Sequence, residues 1–234
     1  MYVVENVTYF LREVGMDASS LVSAWDALVQ QLCCVFTEPT ARTWQQIALG
    51  WVLNRGPATV TAIFRTLGSG VDRHWTVYEK FFYHAAWGLS TLCAVLLQRV
   101  VYPLLLEAAQ AGADEIVADL AIDDTTAGRC GKHVAHAGWF KDASATGPGH
   151  RGTVIHWAHN WLVGAVTLRL PGWPLLRWVL PVFFTLYRKR TGCSAEHPFR
   201  TRQQLAGQMI QQAAEALPKV RWRVVADGQY ASRD

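Results

Sequence analysis

The sequence predicts an α/β protein: a helical amino-terminal region over residues 1–110, then an α/β region over residues 111–234. Three observations carry this. The first hundred residues repeat apolar side chains at helical spacing. After Gly112 the chain breaks into short runs rich in Ile, Val and Ala, each bounded by turn signals. One long helical stretch lies between the last two of these runs, and strands separated by helix mark an α/β domain.

The elements follow in order. In "DASSLVSAWDALVQQLCCVF", Leu21, Trp25, Leu28, Leu32 and Val35 fall close to helical spacing, and Asp17 or Ser19 could cap the helix. "TARTWQQIALGWVLN" predicts a second helix ending near Asn54, Arg55 and Gly56. Pro57 opens a third, "PATVTAIFRTLG", closed by Gly68. Thr76 could cap a fourth, "VYEKFFYHAAWG", and "LSTLCAVLLQRVVYPLLLEAA" supplies a fifth. Helices two and three are short and joined by a Gly-Pro turn, which is compatible with a helix-turn-helix DNA-binding unit. An ordinary helical bundle fits the same pattern. Only Arg55, Arg65, Arg73 and Lys80 are available there to meet phosphates.

In the second region "EIVADLAIDDT" reads as a strand and "GTVIHWAHNWLVGAVTLRL" as one or two more. "RTRQQLAGQMIQQAAEAL" is a helix with Leu205, Met209, Ala213 and Leu217 at i, i+4 spacing. "RWRVVADGQYA" is a strand running into a Gly turn. Residues 161–187 are apolar enough to raise a membrane span. Arg169, Arg177, Pro171, Pro174 and Pro181 interrupt them, and a span needs about 20 apolar residues with few charges. Two buried strands with a proline-rich connection are expected there. A small membrane protein built on this segment is the competing reading, which sheet pairing of the segment would exclude.

Composition bounds the rest. A hydrophobic fraction of 51% against 17% charged excludes a disordered chain. Five cysteines, including the adjacent Cys33 and Cys34, suit neither a disulfide framework nor a zinc ribbon, so a reducing compartment fits. The opening "MYVVENVTYFLREVG" has acidic residues inside what would be the apolar part of a signal peptide, and a cytoplasmic location is expected. Charge is uneven: residues 1–110 carry 7 Lys/Arg against 8 Asp/Glu, and residues 111–234 carry 15 against 10. The basic half suits a polyanionic partner.

That half also holds "LAIDDTTAGRCGKH", an apolar run ending in Asp123 and Asp124. Neighbouring like charges are costly unless something positive neutralises them. Side chains alternate along a strand, so the two aspartates should face opposite ways. Asp227 ends a second apolar run, "RVVAD". If the two strands are neighbours, their carboxylates can share a hard divalent cation such as Mg²⁺. Turn-forming aspartates after strands are the plainer explanation for either one taken singly. His133 with His136, and His156 with His159, form two H-x-x-H patterns, but no Cys pair completes a tetrahedral zinc set. The eleven tryptophans sit mostly at apolar positions, as core packing requires.

Several of these motifs, in order, resemble insertion-sequence transposases of the DDE superfamily. "LAIDDTTAGRCGKH" is similar to their first catalytic strand, where the aspartate directly before the threonine carries the chemistry. "AHNWLVGAV" and "LPVFFTLYRKR" resemble the second and third strands with the basic segment that follows, and "RVVADGQYAS" the strand with the second catalytic aspartate. "FTEPTARTWQQIALGWVL" and "YEKFFYHAAW" resemble the amino-terminal region. The resemblance implies an RNase H-like catalytic domain, a mixed sheet with flanking helices. It implies Asp124 and Asp227 as catalytic, metal-binding acids, with Asp123 as an accessory, and Mg²⁺ or Mn²⁺ as cofactor. The partners it implies are transposon ends and target DNA, with Lys132, Arg188, Lys189 and Arg190 as candidate phosphate contacts, in a homo-oligomer associated with the nucleoid and no membrane. His159-Asn160-Trp161 looks like a family feature without an assigned role. A third acid is expected on a later helix, whereas the sequence stops at Asp234 and Glu196 and Glu215 precede Asp227. A transposase lacking its carboxy-terminal part, with activity weakened or abolished and no transposition by this chain alone, is therefore the expectation, and a catalytically inactive DNA-binding regulator of an intact transposase is the alternative.

Overall fold

The computed structural model describes residues 17–71, 73–109, 115–131, 133–142, 145, 152–170, 172–173 and 175–230. The chain divides into two compact units, Met1–Val95 and Leu96–Asp234.

The first unit is helical. Helix α1, Ala18–Leu32, is capped by Asp17, whose carboxylate accepts from the Ser20 amide. Helix α2, Glu38–Leu53, carries Pro39 in its first turn, where the missing N–H costs nothing. Helix α3, Val60–Leu67, starts three residues after Pro57, because Thr59 provides the cap to Ala62 N. Helix α4, Trp75–Tyr83, is capped by His74 and not by Thr76: the imidazole accepts from the Thr76 amide. Phe36, Ile47, Ile63, Tyr78 and Phe81 make the core, with Trp44 and Trp87 packed against it. Phe36 lies 5.5 Å from Trp44 and Phe81 lies 5.4 Å from Trp87 between ring centroids. Trp44 and Trp87 are used for packing, as expected, whereas Trp51 and Trp75 are exposed. Arg73 is turned inward: its Nη1 donates to Pro39 O and to Thr43 Oγ1 on the buried side of α2.

Helix α5, Leu89–Leu96, runs through a π-type segment, Leu97–Val101, into α6, Tyr102–Ala108. Cys93, Leu97, Val101 and Leu105 are buried at strict i, i+4 spacing. On a regular α-helix that spacing drifts by about 40° per step. The wider π-type turn takes the drift back and places Pro103 just beyond a register where Tyr102 N reaches Leu97 O. Leu89–Ala108 is long and apolar enough to cross a membrane by length and composition alone.

The second unit is built on a mixed sheet of five strands: β1 Ile116–Gly128, β2 Gly138–Lys141, β3 Ile155–Leu168, β4 Trp178–Tyr187 and β5 Val220–Ala226. β3 pairs antiparallel with β1 on one side and with β2 and β4 on the other, and β5 lies parallel to β1 on its free side. Between β4 and β5 runs helix α7, Arg202–Ala216, opened by a capping box between Thr201 and Gln204. Leu205, Met209 and Ala213 of α7 are buried, as are Ala118, Leu120 and Ile122 of β1 and Leu162 and Val166 of β3. Gly164 allows close packing here: a Cβ on it would sit 3.2 Å from Phe183 Cβ and 3.5 Å from Met209 Sδ.

The α/β architecture and mixed sheet are those expected. "GTVIHWAHNWLVGAVTLRL" is one long strand, and β2 is an element that the sequence pattern did not announce. Residues 161–187 form the end of β3 and all of β4. Trp161–Leu168 pairs with Trp178–Leu186, so this segment is sheet and not a membrane span.

Candidate active site

The order β3-β1-β5 puts the two aspartate-bearing strands side by side and pointing the same way. Ile122 pairs with Ala226, so Asp227 lies one residue past the ladder, level with Asp123. Asp124 and Asp227 therefore both lie just past the carboxyl end of the β1–β5 ladder, although β1 itself runs on beside β3 to Gly128; ligands of open α/β sheets bind at the carboxyl ends of parallel strands. Strand alternation separates the DD pair: Asp124 continues the inward series Ala118, Leu120 and Ile122, while Asp123 is exposed on the other face. The Asp123 carboxylate accepts from the Asp124 amide at 2.8 Å, a local turn-like bond.

The Asp124 carboxylate is the centre of a network. Its Oδ2 accepts from Asn160 Nδ2 at 2.7 Å and lies 3.4 Å from Arg202 Nε. Its Oδ1 accepts from Gln229 Nε2 at 2.7 Å and from the Tyr230 hydroxyl at 3.4 Å. Arg202 Nε also donates to Asn160 Oδ1 at 3.3 Å, and its guanidinium lies 4.6 Å from the Tyr187 ring centroid. Arg202 is the positive group that the crowded carboxylates require. The Asp124 side chain retains 17% exposure, so its charge is only partly withdrawn from water.

Asp227 joins this network through one residue. Its Oδ1 accepts from the Gln229 amide at 3.0 Å, and the Gln229 side chain then reaches Asp124. The 3-10 turn Gly228–Tyr230 thus folds back from the tip of β5 towards Asp124 of β1. Gln203 Nε2 holds the same turn by donating to Gln229 O at 2.8 Å. Burial, followed by the negative charges of Asp124 and Asp123, raises the Tyr230 pKa well above 10 and keeps its proton in place. A cleft of about 180 Å³ opens here, lined by Tyr187, Phe199, Thr201, Arg202, Gln203 and Gln229. A larger cleft lies at the opposite end of the sheet, beside the start of β1; neither cleft is lined by Asp124 or Asp227, and the smaller one adjoins them through Arg202 and Gln229.

The basic candidates follow β4. Arg188 is half-buried, and its charge, after burial, helps hold the His136 imidazole below its ordinary pKa. Lys189 Nζ donates to Trp139 O at 2.6 Å and sits 4.8 Å from the Phe140 ring centroid. Arg190 lies 4.7 Å from the Phe199 centroid. Lys132 lies outside the described residues. The histidines do other work. His159 Nδ1 accepts from Arg129 Nε while its Nε2 faces Ala135 O at 2.8 Å, so Nε2 carries the proton. His156 Nδ1 lies 3.4 Å from Asp142 Oδ2. Among the described residues no group of three or more His, Cys, Asp or Glu converges in a way that could hold a metal ion.

Asn160, Arg202, Gln229 and Tyr230 are site residues to which the motifs gave no role. Asn160 had a signal, as a family feature and as a lone amide inside the apolar run "AHNWLVGAV", and Gln229 and Tyr230 had proximity to Asp227. Arg202 had none.

Over residues 31–234 the sequence matches the family described as DDE superfamily endonuclease. The chain belongs to this family. No curated protein and no solved structure matches it. Membership in the DDE superfamily endonucleases carries a nuclease or transposase type of activity with DNA as substrate. DDE superfamily nucleases generally use divalent metal ions. The donor chemistry at the two strand tips fits such an ion: carboxylate oxygens are hard ligands, and Mg²⁺ commonly uses one or two of them together with substrate phosphates.

Proposed function

We propose that the chain is a DNA transposase that cleaves and joins DNA strands by metal-dependent in-line phosphoryl transfer, with Asp124 and Asp227 as its acids. One observation carries the reading: the two aspartates lie just past the end of the ladder between neighbouring parallel strands and are bridged by Gln229, which bonds to both. Asp124 and Asp227 would hold Mg²⁺ or Mn²⁺. When bound, such an ion neutralises charge on the phosphate and makes the attacking water or DNA 3′-hydroxyl a better nucleophile.

The rest is the work of this chain. Arg202, anchored on Tyr187, presents a guanidinium at the mouth of the cleft, suited to a phosphate oxygen. Arg188, Lys189 and Arg190 extend the positive surface from the end of β4. Lys189 and Arg190 already lie over aromatic rings, which restricts their rotamers and lowers the entropy lost on contact with a DNA backbone. Asp123, exposed on the other face of β1, holds the Asp124 amide and takes no part in the reaction. In the first unit, α2 and α3 are the elements that a helix-turn-helix would use, with Arg65 available and Arg73 committed inward. A cytoplasmic, nucleoid-associated location follows from such a substrate.

The alternative is a DNA-binding protein without catalysis, regulating an intact transposase. Asp124 favours it in one respect: both its oxygens are occupied by neighbours. Nicking of supercoiled plasmid with Mn²⁺ or Mg²⁺ separates the two. Slow, metal-dependent nicking that Asp124→Ala and Asp227→Ala each abolish is the expected result. Nicking that survives either substitution contradicts the assignment, and DNA binding with no nicking favours the regulator.

A further inference from the structure

We infer that Asn160 and Arg202 are positioning residues that fix Oδ2 of Asp124, and that Gln229 and Tyr230 form a removable cap on its Oδ1, the oxygen through which the site takes a cation. This rests on the proposed role of Asp124 as a metal ligand.

The two oxygens differ in what holds them. Oδ2 is held by buried structure. Asn160 is 1% exposed and sits in the centre of β3. Thr126 pairs with Asn160 and Asp124 with Leu162, so Asn160 is the diagonal same-face neighbour of Asp124. Its amide orientation follows from its partners: Oδ1 accepts from Arg202 Nε, so Nδ2 points to the carboxylate. Arg202 is the first residue of α7, directly after the Thr201 cap, and is braced on Tyr187. Two central strands and a capped helix thus converge on one oxygen.

Oδ1 is held from the surface. Gln229 is exposed and belongs to a three-residue turn, and Tyr230 contributes a longer bond of 3.4 Å. Swinging the exposed glutamine side chain away removes the shorter bond to Oδ1 without disturbing the sheet and leaves only the longer one from the half-buried Tyr230. Ligand carboxylates are commonly oriented by such outer partners, and removing one typically costs 10–100-fold in metal affinity.

Mn²⁺ titration of the full chain, followed by calorimetry and by the electron paramagnetic resonance signal of free Mn²⁺, tests this without any nuclease assay. Asp124→Ala should abolish binding. Gln229→Ala should tighten it by roughly tenfold, the worth of one hydrogen bond to a charged group. Asn160→Ala should weaken it by about tenfold or more. If Asn160→Ala does not fold, the exposed Gln229→Ala carries the test alone. Asp124-dependent binding that Gln229→Ala leaves unchanged or weakens overturns the cap, and binding that a folded Asn160→Ala leaves unchanged overturns the positioning role. Neither result touches Asp124 as a ligand. Mn²⁺ binding indifferent to Asp124→Ala overturns that assignment, and this inference falls with it.

Discussion

Asn160 Nδ2 donates to Asp124 Oδ2 at 2.7 Å from a side chain that is almost wholly buried. A buried amide in an apolar strand is costly unless both its ends are used, and here the carbonyl accepts from Arg202. Asn160→Ala leaves Arg202 and Asp124 each short of a partner. A loss of about 1–3 kcal/mol in unfolding free energy is expected, the cost of an unsatisfied buried polar group. Urea unfolding measures it; a loss under about 0.5 kcal/mol, the range of neutral surface changes, would show that the network is not closed.

Arg202→Met keeps most of the side-chain volume and removes the positive charge beside Asp124. The half-exposed ion pair itself contributes little, but the buried Asn160 carbonyl loses its donor, so unfolding should shift by about 1–3 kcal/mol. DNA binding should lose about one unit of salt slope, because one phosphate contact goes. Fluorescence anisotropy of a labelled duplex across a salt series reads this directly. An unchanged slope would place Arg202 outside the DNA path.

Gly50 in α2 tests the packing of the helical unit. A Cβ there would meet Ile63 Cγ2 at 2.7 Å and Leu67 Cγ at 2.9 Å. Ile63 is 2% exposed and cannot swing aside. Gly50→Ala gains up to about 1 kcal/mol of helix propensity, whereas overpacking costs about 1–3 kcal/mol. A net fall in thermal stability is therefore expected, and a rise would mean that α2 and α3 separate freely.

Tyr230 sets a pH limit. Its folded-state pKa is raised above 10, first by burial and then by Asp124 and Asp123. Above pH 10 the unfolded chain releases a proton that the folded chain keeps, so this group's contribution to stability is full below pH 10 and declines as pH rises. Ultraviolet titration should show one phenol ionising later than the others, and Tyr230→Phe should remove only that one. Loss of an ordinary phenol in Tyr230→Phe would contradict the placement of the hydroxyl.

Local pattern made much of this molecule legible. The period of Leu205, Met209 and Ala213 marks α7, and the runs "LAIDD" and "RVVAD" mark strands, although β1 runs on past Asp124 to Gly128 where the pattern suggested an end. The alternation rule separates Asp123 from Asp124 before any coordinates are known. What stayed hidden depends on pairings far apart in sequence. Asn160 meets Asp124 across 36 residues, Arg202 meets Asn160 across 42, and Gln229 meets Asp124 across 105. No periodicity encodes such meetings; the register of β1 with β3 and β5 creates them. β2 escaped because four residues are too few to show alternation, and the π-type turn because its neighbours also read as helix. The caps at Thr59 and His74 were misplaced by a few residues, the usual fate of helix boundaries.

The central claim is that Asp124 and Asp227, from neighbouring strands, hold one cation between them. The most direct measurement is a crystal structure of the protein soaked in Mn²⁺, with the metal located by its anomalous scattering. The expected result is a peak between Asp124 and Asp227, coordinated by a carboxylate oxygen of each, with Gln229 turned away from Asp124. No peak there, or the two carboxylates found on opposite sides of the sheet, would contradict it.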